Sequence, residues 1–294
     1  VRDASSNLYV VTRQTHLLGR RLVIQKVNAL NQVQWTQETF EAGLGDIQYQ
    51  VRDLELTATR LHVLAHSREG AGDGNYVSSL RLALNSATGA VDSSSTTATQ
   101  YTAIASGGNV LAMSSLSAGT GTIELFDATS LASLYSFGVG AAERMDDLVV
   151  DPSGAAYGAS TLADGTGKLT NVVVGSSPYS AVIDADDMTD EVIRRVAVDP
   201  SVNRVYVVTD GTFDGDPFDQ DVRLFGINAT TGAIDFTEII GGTLQDDAFA
   251  EMTLVGGQGV ITSLLIGTTT TRLGRTHSNG DFVWDLDLTN SLGS

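Results

Sequence analysis

The sequence predicts an all-β chain folded as a six-bladed β-propeller of four-stranded antiparallel blades, with seven blades as the alternative count. Two observations carry the prediction. Short β-rich runs separated by Gly, Asn, Asp and Ser recur from end to end with no sustained helical periodicity. The runs also repeat one another, and a repeat of this length is the mark of a solenoid or propeller.

The first repeated element is an aspartate, a small polar turn and a strand centred on tyrosine. It reads DASSNLYVV from Asp3, DPSGAAYGA from Asp151 and DPSVNRVYVV from Asp199, with tyrosines at Tyr9, Tyr157 and Tyr206. Weaker copies surround His62, Leu111 and Ile261, which makes six. The second element is a strand ending in a Thr-Gly type turn, at Asn85, Asp127 and Asn228. Asn85 and Asn228 are 143 residues apart, three steps of about 48. The third is a polar turn before an aromatic outer strand, with Trp35 in NQVQWTQETF and Trp284 in NGDFVWDLDL. In order the elements give an antiparallel meander, and six repeats over 294 residues leave 49 for each. Four strands of ~5–6 residues with their turns fill that length. One twisted sheet cannot cover its own two apolar faces, so each needs a neighbour on either side.

Composition narrows the function classes. Apolar residues make up 42% and charged residues 18%, enough for a core and far from a disordered composition. The net charge is −18, and Lys26 and Lys168 are the only lysines. That field repels phosphate backbones, so nucleic-acid binding is not expected. An acidic, lysine-poor surface fits solubility in salt or divalent-cation binding, and a GC-rich genome gives the same depletion with no adaptive meaning. With no cysteine, disulfides, thiolate metal sites and cysteine nucleophiles are excluded. No apolar run approaches the ~18 residues of a membrane span, so this segment is expected not to insert. A chain that opens at Val1 inside a repeat, with the innermost strand of blade one cut short, is expected to be a processed product or part of a longer protein. Within residues 1–294 one propeller domain is expected.

VAVDPSVNRVYVVTDGT followed by VRLFGINATTGAI resembles the repeats of secreted and surface-layer propellers called YVTN repeats. NLYVVT with KVNALNQVQWTQ is similar to related propeller repeats that carry a Gly or Asn turn before Trp. The resemblance is clear in blades one and five, partial in two to four and faint in six. It implies a secreted or cell-surface protein and no single activity.

The stretch DGTFDGDPFDQD, residues 210 to 221, holds five aspartates. Counted from Asp210, oxygen donors fall at Thr212, Asp214, Asp216 and Asp221 with Gly215 at the sixth place. Alternating oxygens around a glycine turn suit a calcium ion. Asp at the twelfth place, Pro217 and strand-like flanks depart from the helical calcium hand, and a solvated acidic hairpin loop is the other reading. A second acidic run, DADDMTDE at 184 to 191, lacks the alternation and reads as a solvated connection between blades four and five.

His62 and His66 share the spacing of a zinc-protease helix, but on a strand they lie ~13 Å apart, too far for one metal. They read as half-buried or channel-lining, with His16 and His277 in loops. Nucleophile-elbow, phosphate-loop and sialidase-box motifs are absent. Trp35 and Trp284 read as anchors between blades rather than sugar platforms. Asn228 opens the one Asn-x-Thr acceptor triplet and is a candidate glycosylation site. The leading functional expectation is a non-enzymatic extracellular propeller presenting loops for protein or glycan binding, within a surface assembly. The alternatives are a calcium-dependent channel enzyme of lactonase or lyase type, and a subunit that polymerises with copies of itself by strand addition.

Overall fold

The computed structural model describes residues 1–16, 19–40, 47–69, 75–142, 144–162, 164–183, 188–213, 220–240, 247–266 and 270–289. They form 23 strands in six antiparallel sheets, each sheet a run of strands consecutive in sequence. The first sheet has three strands: β1 (Leu8–His16), β2 (Gly19–Val27) and β3 (Val33–Phe40). The second has β4 (Ile47–Leu56), β5 (Arg60–Glu69), β6 (Asn75–Asn85) and β7 (Val91–Thr97). In the third lie β8 (Tyr101–Gly107), β9 (Val110–Ser117), β10 (Thr120–Asp127) and β11 (Ser133–Ala141). The fourth comprises β12 (Arg144–Val150), β13 (Ala156–Thr161), β14 (Gly167–Val172) and β15 (Tyr179–Ile183). The fifth holds β16 (Met188–Asp199), β17 (Arg204–Phe213), β18 (Gln220–Asn228) and β19 (Ile234–Ile239). The last has β20 (Asp247–Val255), β21 (Gly259–Ile266), β22 (Thr270–His277) and β23 (Phe282–Thr289). These are the six expected blades.

The chain divides into two compact units. One comprises Val1–Ala118 with Thr122–Ser136, and the other Gly119–Gly121 with Phe137–Ser294.

The repeated motifs are local hydrogen-bond devices. In the Asp motif the carboxylate caps the turn into the second strand of a blade. Asp151 Oδ1 accepts from the N–H groups of Ser153 at 2.8 Å and Ala155 at 3.0 Å, and Asp199 Oδ1 from that of Ser201 at 3.0 Å. Asp3 Oδ1 accepts from the N–H groups of Ser5 and Asn7, and the Asn7 side chain helps to hold this carboxyl at about 2. At the end of the third strand, Asn85, Asp127 and Asn228 each accept two backbone N–H groups of the turn that follows. These are Asx turns, which need a short side chain with an oxygen at that place.

The core lies between consecutive sheets. In the first unit Tyr9, Ile24, Leu61, Val63, Leu82 and Leu84 fill the space between sheets one and two. In the second, Tyr157, Leu169, Ile183, Val196, Val207 and Phe225 do so between sheets four and five. The second strands are accordingly well covered, and β13 is buried along its whole length. The first sheet lacks the innermost member present in the other five. Val1 and Arg2 stand in place of its last two residues, with the Tyr9 N–H donating to Val1 O at 2.8 Å and a single bridge from Arg2 to Leu8.

Two expectations are corrected. His16 and His277 are the last residues of strands, not loop residues. Of the acidic run 184–191, Met188–Glu191 belongs to β16, and Thr189 pairs with Thr212; residues 184–187 lie outside the described residues.

Candidate functional site

Carboxylates on the first strands of the blades are the first place to look for chemistry, and the structure shows what they do. The first strands of blades two to six, β4, β8, β12, β16 and β20, each slip register by one residue at the same place. The slip falls before Asp53, Ala103, Asp147, Arg195 and Glu251. A bulge re-aims the side chain at the slip. Asp53 Oδ2 thereby accepts the Ile104 N–H of the next sheet at 3.1 Å, and Asp147 Oδ2 accepts the Val196 N–H at 2.7 Å. Ile104 and Val196 each follow the bulge residue of their own strand, so the two bonds are one device used twice.

Where the fifth sheet carries Arg195, the partner changes to match. Arg195 pairs with Glu251 at 3.3 Å, and Glu251 Oε1 accepts its own neighbour's N–H, that of Met252. Beside Asp53, Glu55 accepts the hydroxyl of Ser106 at 2.8 Å, and burial raises its carboxyl above the usual range. The inner carboxylates thus act as latches between sheets. Sequence reasoning missed them, although VRDL, MDDL and FAEM, with an acid before an apolar residue, recur at blade starts.

A second latch lies at the outer side. An aromatic ring of one blade's outermost strand covers a glycine in the next blade's third turn: Trp35 on Gly89, Tyr179 on Gly232 and Phe236 on Gly280. Both Gly89 and Gly232 have φ near +75°, and a Cβ on either would sit 2.6 Å from the ring. The polar tips reach the same turns. Trp35 Nε1 and Tyr9 Oη each donate to Ser86 O at 3.2 Å, and Tyr179 Oη donates to Ala229 O at 2.8 Å. Trp35 is therefore an anchor between blades, as expected; Trp284 lies on β23, and its side chain is outside the described residues.

The residues expected to hold calcium belong to the hairpin between the second and third strands of blade five. Asp210 and Thr212 end β17 and Asp221 begins β18, with Gly211 opposite Asp221. Asp214 and Asp216 lie outside the described residues. Asp210 Oδ2 accepts from Arg194 Nε at 2.6 Å, so this carboxylate already has a cation partner. Among the described residues no cluster of His, Cys, Asp and Glu could hold a metal ion. The calcium reading rests on the composition of the loop.

His62 and His66 are fully buried, deeper than the half-buried or channel-lining place expected. His62 stands where the other blades have Tyr157 and Tyr206, two residues before the partner of the bulge residue. Among the described residues neither of its ring nitrogens has a hydrogen-bond partner. His66 Nε2 donates to Tyr101 O at 2.6 Å. Burial pushes both imidazoles down to about 4. Asn228 is half-buried, and its Oδ1 accepts the N–H groups of Thr230 and Thr231 and the Asn203 amide.

A cleft of about 410 Å³ lies in the first unit, between β3 on one side and β4, β6 and β7 on the other. Gln37, Thr39, Ser94 and Thr96 bring amide and hydroxyl groups to it over Leu80 and Leu82. Gln37 with Thr39, and Ser94 with Thr96, are two apart on their strands and so face the same way.

No protein-family profile matches the chain, and no curated protein matches it. Solved structures do. The Dos1 propeller is 13% identical at a TM-score of 0.59, over 92% of this chain and 68% of that one. A puromycin hydrolase, the S511A mutant complexed with PGG, is 13% identical at 0.57, over 96% of this chain and 46% of that one. The C-terminal WD40 domain of Sif2 is 12% identical at 0.53, over 94% of this chain and 69% of that one. Likeness at such identities establishes architecture alone. With the six sheets it shows that the chain is a six-bladed β-propeller.

Proposed function

We propose that the chain is a binding module that grips a partner protein in the cleft between β3 and β6–β7. The observation that supports this reading is the cleft's chemistry. Hydrogen-bonding groups at two-residue spacing flank an apolar floor, which suits an extended polypeptide segment whose backbone bonds along the edges and whose alternate side chains enter the floor. Asp53, Asp147, Glu55 and Glu251 are meanwhile engaged in holding blade to blade. The repeat resemblance supports a secreted or cell-surface setting.

Photo-crosslinking tests the reading. A photoreactive phenylalanine placed at Ser94 is expected to capture one protein from the surface fraction of the producing cells, and the same probe at exposed Leu134 is not. Adding Thr96→Arg, which fills the groove with a long charged side chain, should abolish the capture. Equal capture from both positions, or capture that survives Thr96→Arg, contradicts the cleft as the site.

A further inference from the structure

We propose that the cleft beside β3 selects its partner by one aliphatic side chain, a leucine, isoleucine or valine, seated over Leu80 and Leu82 next to Thr39. The inference rests on the reading of that cleft as the partner site and adds the chemistry it recognises.

The first observation is what other blades place there. Four residues after the ring that covers the next blade's turn stand Ile183 in blade four and Ile240 in blade five, on the same face as Tyr179 and Phe236. Both are buried, Ile183 in one cluster with Ile193 and Ile240 in one cluster with Met252. Ile193 and Met252 belong to the first strand of the following blade. Each isoleucine thus closes the space between its outermost strand and the next sheet. Blade one has Thr39 at this place, four residues after Trp35, and Thr39 is half-buried on the wall of the cleft.

The second observation shows why the space stays open. Ile183 lies opposite Gly167, where a Cβ would come within 3.2 Å of Ile183 Cβ. Val139 of blade three meets Gly121 in the same way, at 3.4 Å. In both blades a glycine on the third strand makes room, and an aliphatic residue of the outermost strand fills it. In blade one the sizes are exchanged. Thr39 lies opposite Leu22, which is fully buried and takes the inner room itself. The unfilled volume is moved outward, over Leu80 and Leu82, and a threonine is too short to close it.

The third is polarity. Among the described residues lining the cleft Glu38 alone is charged, and its carboxylate is paired with Arg21. A basic or acidic side chain entering the cleft meets no free counter-charge and loses its hydration, whereas an aliphatic one gains by leaving water.

The test uses synthetic peptides, acetyl-Thr-Gln-Thr-X-Thr-Gln-Thr-amide with X leucine, alanine, lysine or aspartate, titrated while the methyl resonances of Leu80 and Leu82 are followed. Leucine should bind about tenfold more tightly than alanine, and lysine or aspartate should give no gain over alanine. Thr39→Ile supplies the missing side chain from the protein itself and should weaken the leucine peptide about tenfold. Three results overturn the inference while leaving the cleft as a partner site: equal affinities for leucine and alanine, a preference for lysine or aspartate, or a folded Thr39→Ile protein that binds the leucine peptide undiminished. Peptides that move neither methyl signal at any concentration overturn the cleft as a site for an extended segment, and this inference with it. Should Thr39→Ile fail to fold, the peptide series on the unchanged chain decides alone.

Discussion

Gly232→Ala is expected to lower the unfolding free energy by about 3 kcal/mol, the sum of a left-handed conformation forced on an L-residue and an overpacked contact. The two costs separate cleanly. Gly232 has φ +74° and a Cβ there would lie 2.6 Å from the Tyr179 ring, whereas Gly175 has φ +77° and nothing within 4 Å. Gly175→Ala carries the conformational cost alone and is expected to lose about 1 kcal/mol. Urea unfolding of both variants checks the difference. Equal losses would mean that the Tyr179 ring moves aside freely, and that the outer latch between blades four and five contributes little.

Acidification is expected to unfold the first unit before the carboxylates that cap its turns are protonated. His62 and His66 are buried neutral, with folded values of about 4 against an ordinary 6.5. An unfolded chain binds these two protons more readily than the folded one. The stability they confer is therefore complete above pH 6.5 and is lost as pH falls from there towards 4. At pH 5 the loss is about 2 kcal/mol for each histidine as an upper figure. Glu55, opposite His62 on β4 and raised by burial, acts in the other direction: as pH falls through its raised value towards its ordinary one, its protonation relieves a burial cost and offsets part of the loss. Arg60 adds to the lowering at His62, and Arg52 and Arg68 to that at His66. Urea unfolding at pH 7.5 and pH 5.0 should show the fall, and His62→Leu should remove about half of it. A fall unchanged in His62→Leu would show that His62 is not the group being protonated.

Much of the fold was legible because the devices that make a blade are short-range. The Asp3, Asp151 and Asp199 caps and the Asn85, Asp127 and Asn228 turns each close within a few residues, so their spacing is written directly in the chain. The bulge latches were not legible in the same way. Asp53 and Ile104 are 51 residues apart, and what joins them is a slip of register that leaves no residue type of its own. Arg195 even reverses the charge at the repeated position and keeps the latch by meeting Glu251. His62 misled for a related reason. It fills a tyrosine's place in the core, and residue type alone suggested a more exposed position than the packing between sheets provides. The acidic loop from Asp210 to Asp221 stood out by composition, yet its first carboxylate is paired with Arg194, a partner that approaches from the neighbouring strand. The cleft beside β3 draws on four strands of two sheets, and no motif marks it.

That the inner carboxylates hold blade to blade is tested most directly by amide exchange at Ile104 and Val196. In Asp53→Ala the Ile104 amide, and in Asp147→Ala the Val196 amide, should exchange at least tenfold faster than in the unchanged chain, while the other of the two keeps its rate. That loss corresponds to ~1.5–3 kcal/mol for a hydrogen bond to a charged group. Rates unaffected by either substitution would show that the bulge carboxylates are not latches, and would return them to consideration as groups available for chemistry.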